Sequence, residues 1–213
     1  MNLLADTSPV LILAPHTDDG EFGCGGTIHK LCEQGREVYY AAFSACKQSV
    51  QPQFAPDVLI TEVKEATSIL GIKPQNLILF DYDVRTFSFH RQEILEKLIE
   101  LREQIKPGLV FMPSLNDIHQ DHKTIAEEGL RAFKFSSILC YEMPWNNLQF
   151  NTSGFVKLSE TNLQKKVDAL KAYKSQAHRS YATEEFVRSL ALTRGVQIQS
   201  GFAETFEVLR FVG

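Results

Sequence analysis

Short apolar runs recur along this chain, and each is followed by a stretch with helical spacing. Val10-Leu-Ile-Leu-Ala14 is the first, a continuous apolar run of the kind that forms a strand buried on both faces of a parallel sheet. Glycines 23, 25 and 26 lead into a helix over 27–34 that Gly35 closes. A strand over 37–43 precedes a helix over 57–70, with Asp57 as its start signal and Gly71 as its stop. Strands over 77–80, 109–112 and 137–142 follow, separated by helices over 92–105 and 121–133. The 92–105 segment carries Ile94, Leu95, Leu98, Ile99 and Leu101 on or near one stripe, and Pro107-Gly108 ends it. Helices over 162–174 and 183–195 and a terminal strand over 206–212 complete the pattern. Such alternation predicts an α/β fold: a Rossmann-like, doubly wound, mainly parallel sheet with right-handed crossovers and with C-terminal helices and a strand appended.

At 213 residues, with no Pro/Gly/Ser-rich linker and no repeat, one domain over 1–213 is expected. A domain of this size buries enough surface to fold without disulfides or a structural metal. Cysteines 24, 32, 46 and 140 form no C-x-x-C pair, which argues against a disulfide scaffold or a zinc knuckle. The net charge of −4 argues against a nucleic-acid groove or an anionic-membrane patch. Residues 1–14 make a poor targeting segment, because Asp6 and Pro9 interrupt them and no basic start is present. No apolar run approaches the ~20 residues of a membrane span. The expectation is a soluble, reduced, cytoplasmic protein, with a homo-oligomer left open.

Ligand sites in open α/β sheets lie beyond the carboxyl ends of the strands. Two loops stand there: Pro15-His16-Thr17-Asp18-Asp19-Gly20-Glu21 after the first strand and Asn116-Asp117-Ile118-His119-Gln120-Asp121-His122 after the fourth. Adjacent side chains in an extended segment diverge, so of Asp18 and Asp19 one can bind a metal while the other faces its open side. His119 and His122 are three apart, on neighbouring positions of a helical turn, and Asp121 between them could hydrogen-bond an imidazole. His16, Asp19 and His122 make the two-histidine, one-carboxylate set of a catalytic zinc site with a place for water. Carboxylates at 18, 19 and 21 would repel one another without a cation. The bland alternative for the Asp pair is a helix N-cap.

Glu21-x-Gly23-x-Gly25-Gly26 is near the loop that cradles S-adenosylmethionine in methyltransferases. Thr27 stands where that pattern wants glycine, Ile28 breaks G-x-G-x-x-G, and Phe43-Ser-Ala-Cys46 offers no acid to hold a ribose. A nucleotide-binding methyltransferase is therefore the weaker alternative, beside a non-catalytic metal- or sugar-binding protein. Cys24 reads as a small buried residue rather than a nucleophile. Arg85, in the loop after the third strand, is a candidate substrate grip, with Asn116 and Asp117 as further candidate contacts.

With its His16-Thr-Asp-Asp-Gly-Glu21 and His119-Gln-Asp-His122 motifs, the chain resembles the PIG-L/LmbE family of zinc-dependent deacetylases of N-acetylglucosamine-type sugars and conjugates. Glu62 to Gly71 and Gly201-Phe-Ala-Glu-Thr-Phe206 extend the likeness. The resemblance implies that His16, Asp19 and His122 bind the metal and that Asp18 is general base on its bound water. It implies a cationic His119 that stabilises the oxyanion, and an Asp121 that orients or charges a histidine. Zinc is the implied ion, with Fe2+ and Co2+ as alternatives for such a donor set. The chain departs from the family pattern at Thr17, where Pro is common, at Leu59, where an Arg often stands, and at Asp117, where some members have Tyr.

Overall fold

The computed structural model describes residues 7–213; the first six, part of the segment considered above as a targeting signal, lie outside the described residues. Seven strands join in one sheet in the order β3-β2-β1-β4-β5-β7-β6. They are β1 (Val10–His16), β2 (Val38–Ser44), β3 (Leu77–Leu79), β4 (Leu109–Pro113), β5 (Ser137–Tyr141), β6 (Gly154–Leu158) and β7 (Phe202–Arg210). The first five pair in parallel, whereas β7 runs antiparallel to both β5 and β6. The helices are α1 (Asp19–Glu33), α2 (Val58–Ile69), α3 (Arg91–Ile105), α4 (Gln120–Ala132), α5 (Glu160–Lys171) and α6 (Glu184–Val196).

The apolar run of β1 shows why the sheet is covered on both sides. Val10, Ile12 and Ala14 pack with Ile28 of α1, Val63 of α2, Val167 of α5 and Val187 of α6, while Leu11 and Leu13 pack with Ile94 and Leu98 of α3 and Ile125 of α4. Alternate residues thus feed two separate cores, as a doubly wound sheet requires. Two strands differ from the sequence expectation. Strand β6 was not anticipated, since it is one short run inside an otherwise polar segment, and β7 begins at Phe202 rather than 206. Helix α3 ends not on glycine but on Lys106, held at φ 51.

Helix α1 starts at Asp19, eight residues before the start expected from the glycines. Those glycines lie inside it and serve close packing. A Cβ on Gly20 would stand 2.4 Å from the Tyr40 ring, one on Gly23 2.4 Å from the Tyr141 ring, and one on Gly26 2.6 Å from Leu158. Protein side chains fill the space a nucleotide cradle would need, which removes the methyltransferase alternative. The expected start at Thr27 does have a physical trace. The helix breaks at Cys24 (φ −148°, ψ 25°), and the carbonyl of Phe22 is taken by Lys166 Nζ at 2.7 Å. The amides of Gly26 and Thr27, left without helical acceptors, donate to Glu204 of β7 at 3.0 and 2.7 Å. A buried carboxylate from the far end of the chain therefore caps the second half of α1, with Lys166 as its counter-ion at 2.6 Å.

Beneath the β1–α1 turn, Tyr40 and Tyr173 both point their hydroxyls at the carbonyl of Thr17, at 2.8 and 2.6 Å. Both also meet Glu21, Tyr173 at 2.9 Å and Tyr40 in a shorter contact. Two hydroxyl protons cannot serve four oxygen–oxygen contacts; a proton on Glu21 serves a third. Burial accordingly pushes the Glu21 carboxyl up to about 8, against the partial opposition of the two tyrosines. Glu21 thus leaves the acidic cluster expected of residues 18, 19 and 21 and becomes part of the scaffold under it.

Two stability outcomes follow. Gly23→Ala, with a Cβ driven against the buried base of the Tyr141 ring, destabilises the fold by about 1–3 kcal/mol, whereas Gly25→Ala, whose Cβ meets the Lys166 side chain no closer than 3.1 Å, costs much less in denaturant melts. Because the Glu21 value is raised in the folded state, its contribution is full below the ordinary carboxyl range and is lost as pH rises through about 8. Glu21→Gln, an uncharged isostere, therefore gains stability relative to the parent protein as pH is raised from about 5 to about 8; parallel melts at those pH values that never diverge would contradict a protonated Glu21.

Candidate active site

Strands β1 and β4 are neighbours, and the chain leaves them for opposite faces of the sheet. That divergence opens a crevice at their carboxyl ends, the switch point of a doubly wound sheet. His16 is the last residue of β1, and Asp18 and Asp19 form the turn into α1. The loop after β4 brings Asp117, His119, Asp121 and His122 to the same place.

Three atoms converge there. His16 Nδ1 lies 3.2 Å from Asp19 Oδ2, His122 Nε2 lies 3.2 Å from the same oxygen, and the two ring nitrogens are 3.3 Å apart. Ligand atoms about 2.0–2.1 Å from a tetrahedral zinc stand about 3.3–3.4 Å from one another. The outer nitrogens fix the tautomers. His16 Nε2 donates to Asp121 Oδ2 at 3.0 Å and His122 Nδ1 donates to Asp117 Oδ2 at 2.7 Å, so each imidazole turns a lone pair inward. Asp19 is held by the His16 amide at 2.7 Å. His119 also brings a ring nitrogen within 4.8 Å of the other two histidines.

The electrostatics state the same demand for positive charge. Burial disfavours a protonated His16, but Asp19 and the Asp121 hydrogen bond outweigh it and raise the imidazole to about 8. Burial is likewise overcome at His122, which Asp19 and Asp117 raise to about 10. Asp19 is held well below the usual carboxylate range, the two histidines outweighing its burial. A donor set whose protons are held this firmly is one that a divalent cation fits.

Asp18 and His119 differ. Asp18 makes no capping hydrogen bond to α1, so the N-cap alternative does not account for it. Its carboxyl is raised to about 6, first by burial and then by the charge of Asp19. His119 is the residue that caps: its Nδ1 accepts the Asp121 amide of α4 at 3.2 Å, which leaves the hydrogen on Nε2. Burial, and then the charges of His122 and His16, push it down to about 4. Asp121 reaches the histidine of the other loop, and it also accepts the amide of Arg85 at 2.6 Å. Arg85 sits at φ 68, a conformation rare for a side-chain-bearing residue, and that strain aims its N–H at Asp121.

These groups open onto a cavity of about 380 Å³, lined by His16, Asp18, Asp19, His119, His122 and Arg85, among others. Asn116 and Asp117 are not on its wall. Asn116 borders a separate groove with Ile118 and Leu148, and Asp117 is buried, spent on His122 and on the His119 amide. Strand-end proximity does not say which way a side chain turns, and here both residues border the neighbouring groove rather than this cavity.

Apart from Phe22, much of the remaining wall comes from segments the sequence did not mark. Phe22, Trp145 and Tyr181 form an aromatic flank, with the Trp145 and Tyr181 rings stacked at 4.0 Å and 9°. Gln176 and Arg179 complete it. Trp145 had a usable signal, being the single tryptophan and lying just beyond a strand's carboxyl end. Gln176 and Arg179 had none, for their loop between α5 and α6 carries no period.

Residues 11–133 match the PIG-L family, described as GlcNAc-PI de-N-acetylase. A diacetylchitobiose deacetylase of Thermococcus kodakarensis is 27% identical over 141 residues, 62% of this chain and 52% of that protein. A "Probable N-acetyl-alpha-D-glucosaminyl L-malate deacetylase 2" of Bacillus cereus is 26% identical over 134 residues, 58% of this chain and 60% of that protein. The chain thus spans half to three fifths of the length of these two curated relatives. The solved structure of N,N'-diacetylchitobiose deacetylase from Pyrococcus horikoshii matches 98% of this chain and 86% of its own with a TM-score of 0.81 at 22% identity, which makes the fold a shared one. Among the described residues no helix is long and apolar enough to cross a membrane. Since the family match runs through more than half of the sequence and takes in both histidine motifs, the chain belongs to the PIG-L family.

Proposed function

We propose that this protein is a metal-dependent hydrolase that removes the acetyl group from an N-acetylated amino sugar or a small conjugate of one. The observation that carries the reading is the convergence of His16 Nδ1, Asp19 Oδ2 and His122 Nε2 at 3.2–3.3 Å beside the half-buried carboxyl of Asp18. The family and the names of the relatives agree with it.

His16, Asp19 and His122 would hold the ion, zinc in the first instance, with Asp121 and Asp117 fixing the two imidazoles from behind. A divalent cation there supplies Lewis acidity and lowers the pKa of a water to about 7. The chain's own residues then divide the proton work. Asp18, raised toward neutrality, takes one proton from the attacking water as its oxygen bonds to the acyl carbon. Neutral His119 donates its Nε2–H to the acyl oxygen as negative charge gathers on it. Asp18 returns the proton to the sugar nitrogen while the C–N bond breaks. The products are the free amine and acetic acid, which gives up the water's second proton to solvent to become acetate, and Asp18 ends ionised.

Acetate release from N-acetylated glucosamine derivatives by zinc-loaded protein tests the reading. Asp18→Asn is expected to lower kcat by roughly 10²–10⁴-fold while the metal content stays as it was; near-parental turnover would exclude Asp18 as the base. Asp117→Asn keeps an acceptor on His122 but drops its charge, and zinc affinity weakens by about 10- to 100-fold in a competition titration. Equal affinity would mean that Asp117 is not orienting a ligand.

A further inference from the structure

Helix α2 sends one buried carboxylate toward the far wall of the cavity without lining it. Glu62 is 5% exposed, and no lysine, arginine or histidine nitrogen lies within 4.0 Å of it among the described residues. Both of its oxygens go to one residue of the loop between α5 and α6: Oε1 accepts the Ser175 amide at 2.9 Å and Oε2 the Ser175 hydroxyl at 2.6 Å. That loop has few apolar anchors, Ala177, His178 and Ser180 all being exposed, so polar bonds set its place. Tyr173, two residues before Ser175, is tied separately to the Thr17 carbonyl, so the inner end of the segment is held without Glu62.

From Ser175 outward the hydrogen bonds have a direction, and Glu62 fixes it. A hydroxyl has one proton, and that of Ser175 goes to Glu62, so toward Gln176 its oxygen can only accept. Gln176 must therefore present its amide nitrogen, which lies 3.1 Å from Ser175 Oγ. The carboxamide oxygen is thereby turned the other way, where it accepts Arg179 Nε at 2.6 Å. Arg179 Nη1 donates to the Tyr181 hydroxyl, and the Tyr181 ring is stacked on Trp145. Gln176, Arg179, Tyr181 and Trp145 line the cavity. Were the Ser175 proton given to Gln176 instead, the carboxamide would turn over and set its NH2 against the Arg179 Nε–H, two donors with no acceptor between them.

We propose that Glu62 is a positioning residue: by holding the Ser175 proton it sets the orientation of the Gln176 carboxamide, and through it the place of Arg179 and of the Trp145–Tyr181 stack against the substrate. A site wall on a loop keeps its geometry only when the residues behind it are themselves fixed. As a statement about substrate the proposal rests on the deacetylase reading; as a statement about the wall it holds for the ligand-free protein.

Three variants test it. Glu62→Gln preserves shape and reverses the relay: its carbonyl must still serve the Ser175 amide, so its new NH2 meets Ser175 Oγ and sends that hydroxyl's proton to Gln176. Adding Gln176→Glu to Glu62→Gln restores an acceptor for both Ser175 and Arg179, because a carboxylate has no donor side to turn the wrong way. Ser175→Ala removes the link without touching α2. Each is read by acetate release from N-acetylglucosamine derivatives with zinc-loaded protein, by the emission of Trp145, the single tryptophan, in ligand-free protein, and by denaturant melts. Glu62→Gln and Ser175→Ala are expected to shift the emission and to lower kcat/KM by about 10- to 100-fold. The double variant returns the emission to that of the parent and recovers part of kcat/KM. An ordinary anchor would leave the double variant no better than Glu62→Gln, since it carries one change more; that result overturns the relay, as does parental emission in Glu62→Gln and Ser175→Ala. If Glu62→Gln does not fold, Ser175→Ala decides, and parental emission in it overturns the relay. Parental kcat/KM in every variant overturns the role in placing substrate while deacetylation stands. Emission that follows the expected pattern with no acetate released by any of the proteins overturns deacetylation and keeps the relay.

Discussion

Three inward-facing lone pairs within 3.3 Å of one another are the constraint around which this molecule is arranged. Such a group repels itself unless positive charge sits among it, and the described residues place no lysine or arginine within 4.0 Å of Asp19. Protons meet the demand when nothing else does, which is why His16 and His122 hold theirs so firmly. Asp121 and Asp117 keep the imidazoles from escaping by rotation, for each anchors the outer nitrogen from the opposite loop or from its own. One centre therefore fixes the rotamers of two histidines and three aspartates drawn from two strand ends.

The fold supplies that centre by topology and encloses it by addition. The switch point between β1 and β4 would exist in any doubly wound sheet. Its depth comes from the C-terminal third, where β6 and β7 extend the sheet antiparallel and the loop between α5 and α6 lays Gln176, Arg179 and Tyr181 along the cavity. Tyr173 and Lys166, from α5 and its end, reach back under α1 to hold the Thr17 carbonyl and the broken helix turn. The half of the site proposed to hold the metal and the half that would face the substrate are thus built by different parts of the chain but braced against each other.

What could be read from the sequence follows this division. The parallel strands announce themselves as apolar runs, and both histidine motifs lie immediately after two of them, so fold class and His16, Asp18, Asp19, His119, Asp121 and His122 are visible without coordinates. Side-chain direction is not. Nothing in the order of residues says that Asp117 turns inward to His122 or that Glu21 turns down to two tyrosines. Helix α1 was misplaced because glycines weaken a helix unless something large approaches them, and here Tyr40, Tyr141 and Leu158 come from three other strands. The hold of His119 on its proton is likewise set by neighbours in space, not in sequence.

Glu204 gives the chain an order of completion. A polypeptide emerging from the ribosome presents both motifs and all five parallel strands, β1 to β5, long before residue 204 appears. Until it does, the Gly26 and Thr27 amides of the helix that carries Asp19 lack their carboxylate partner, and β6 lacks the strand that joins it to the sheet. The same late segment supplies the neighbour of β5. Premature termination near the end of synthesis would consequently yield a chain that possesses every proposed ligand yet has no clamp on the helix that presents one of them.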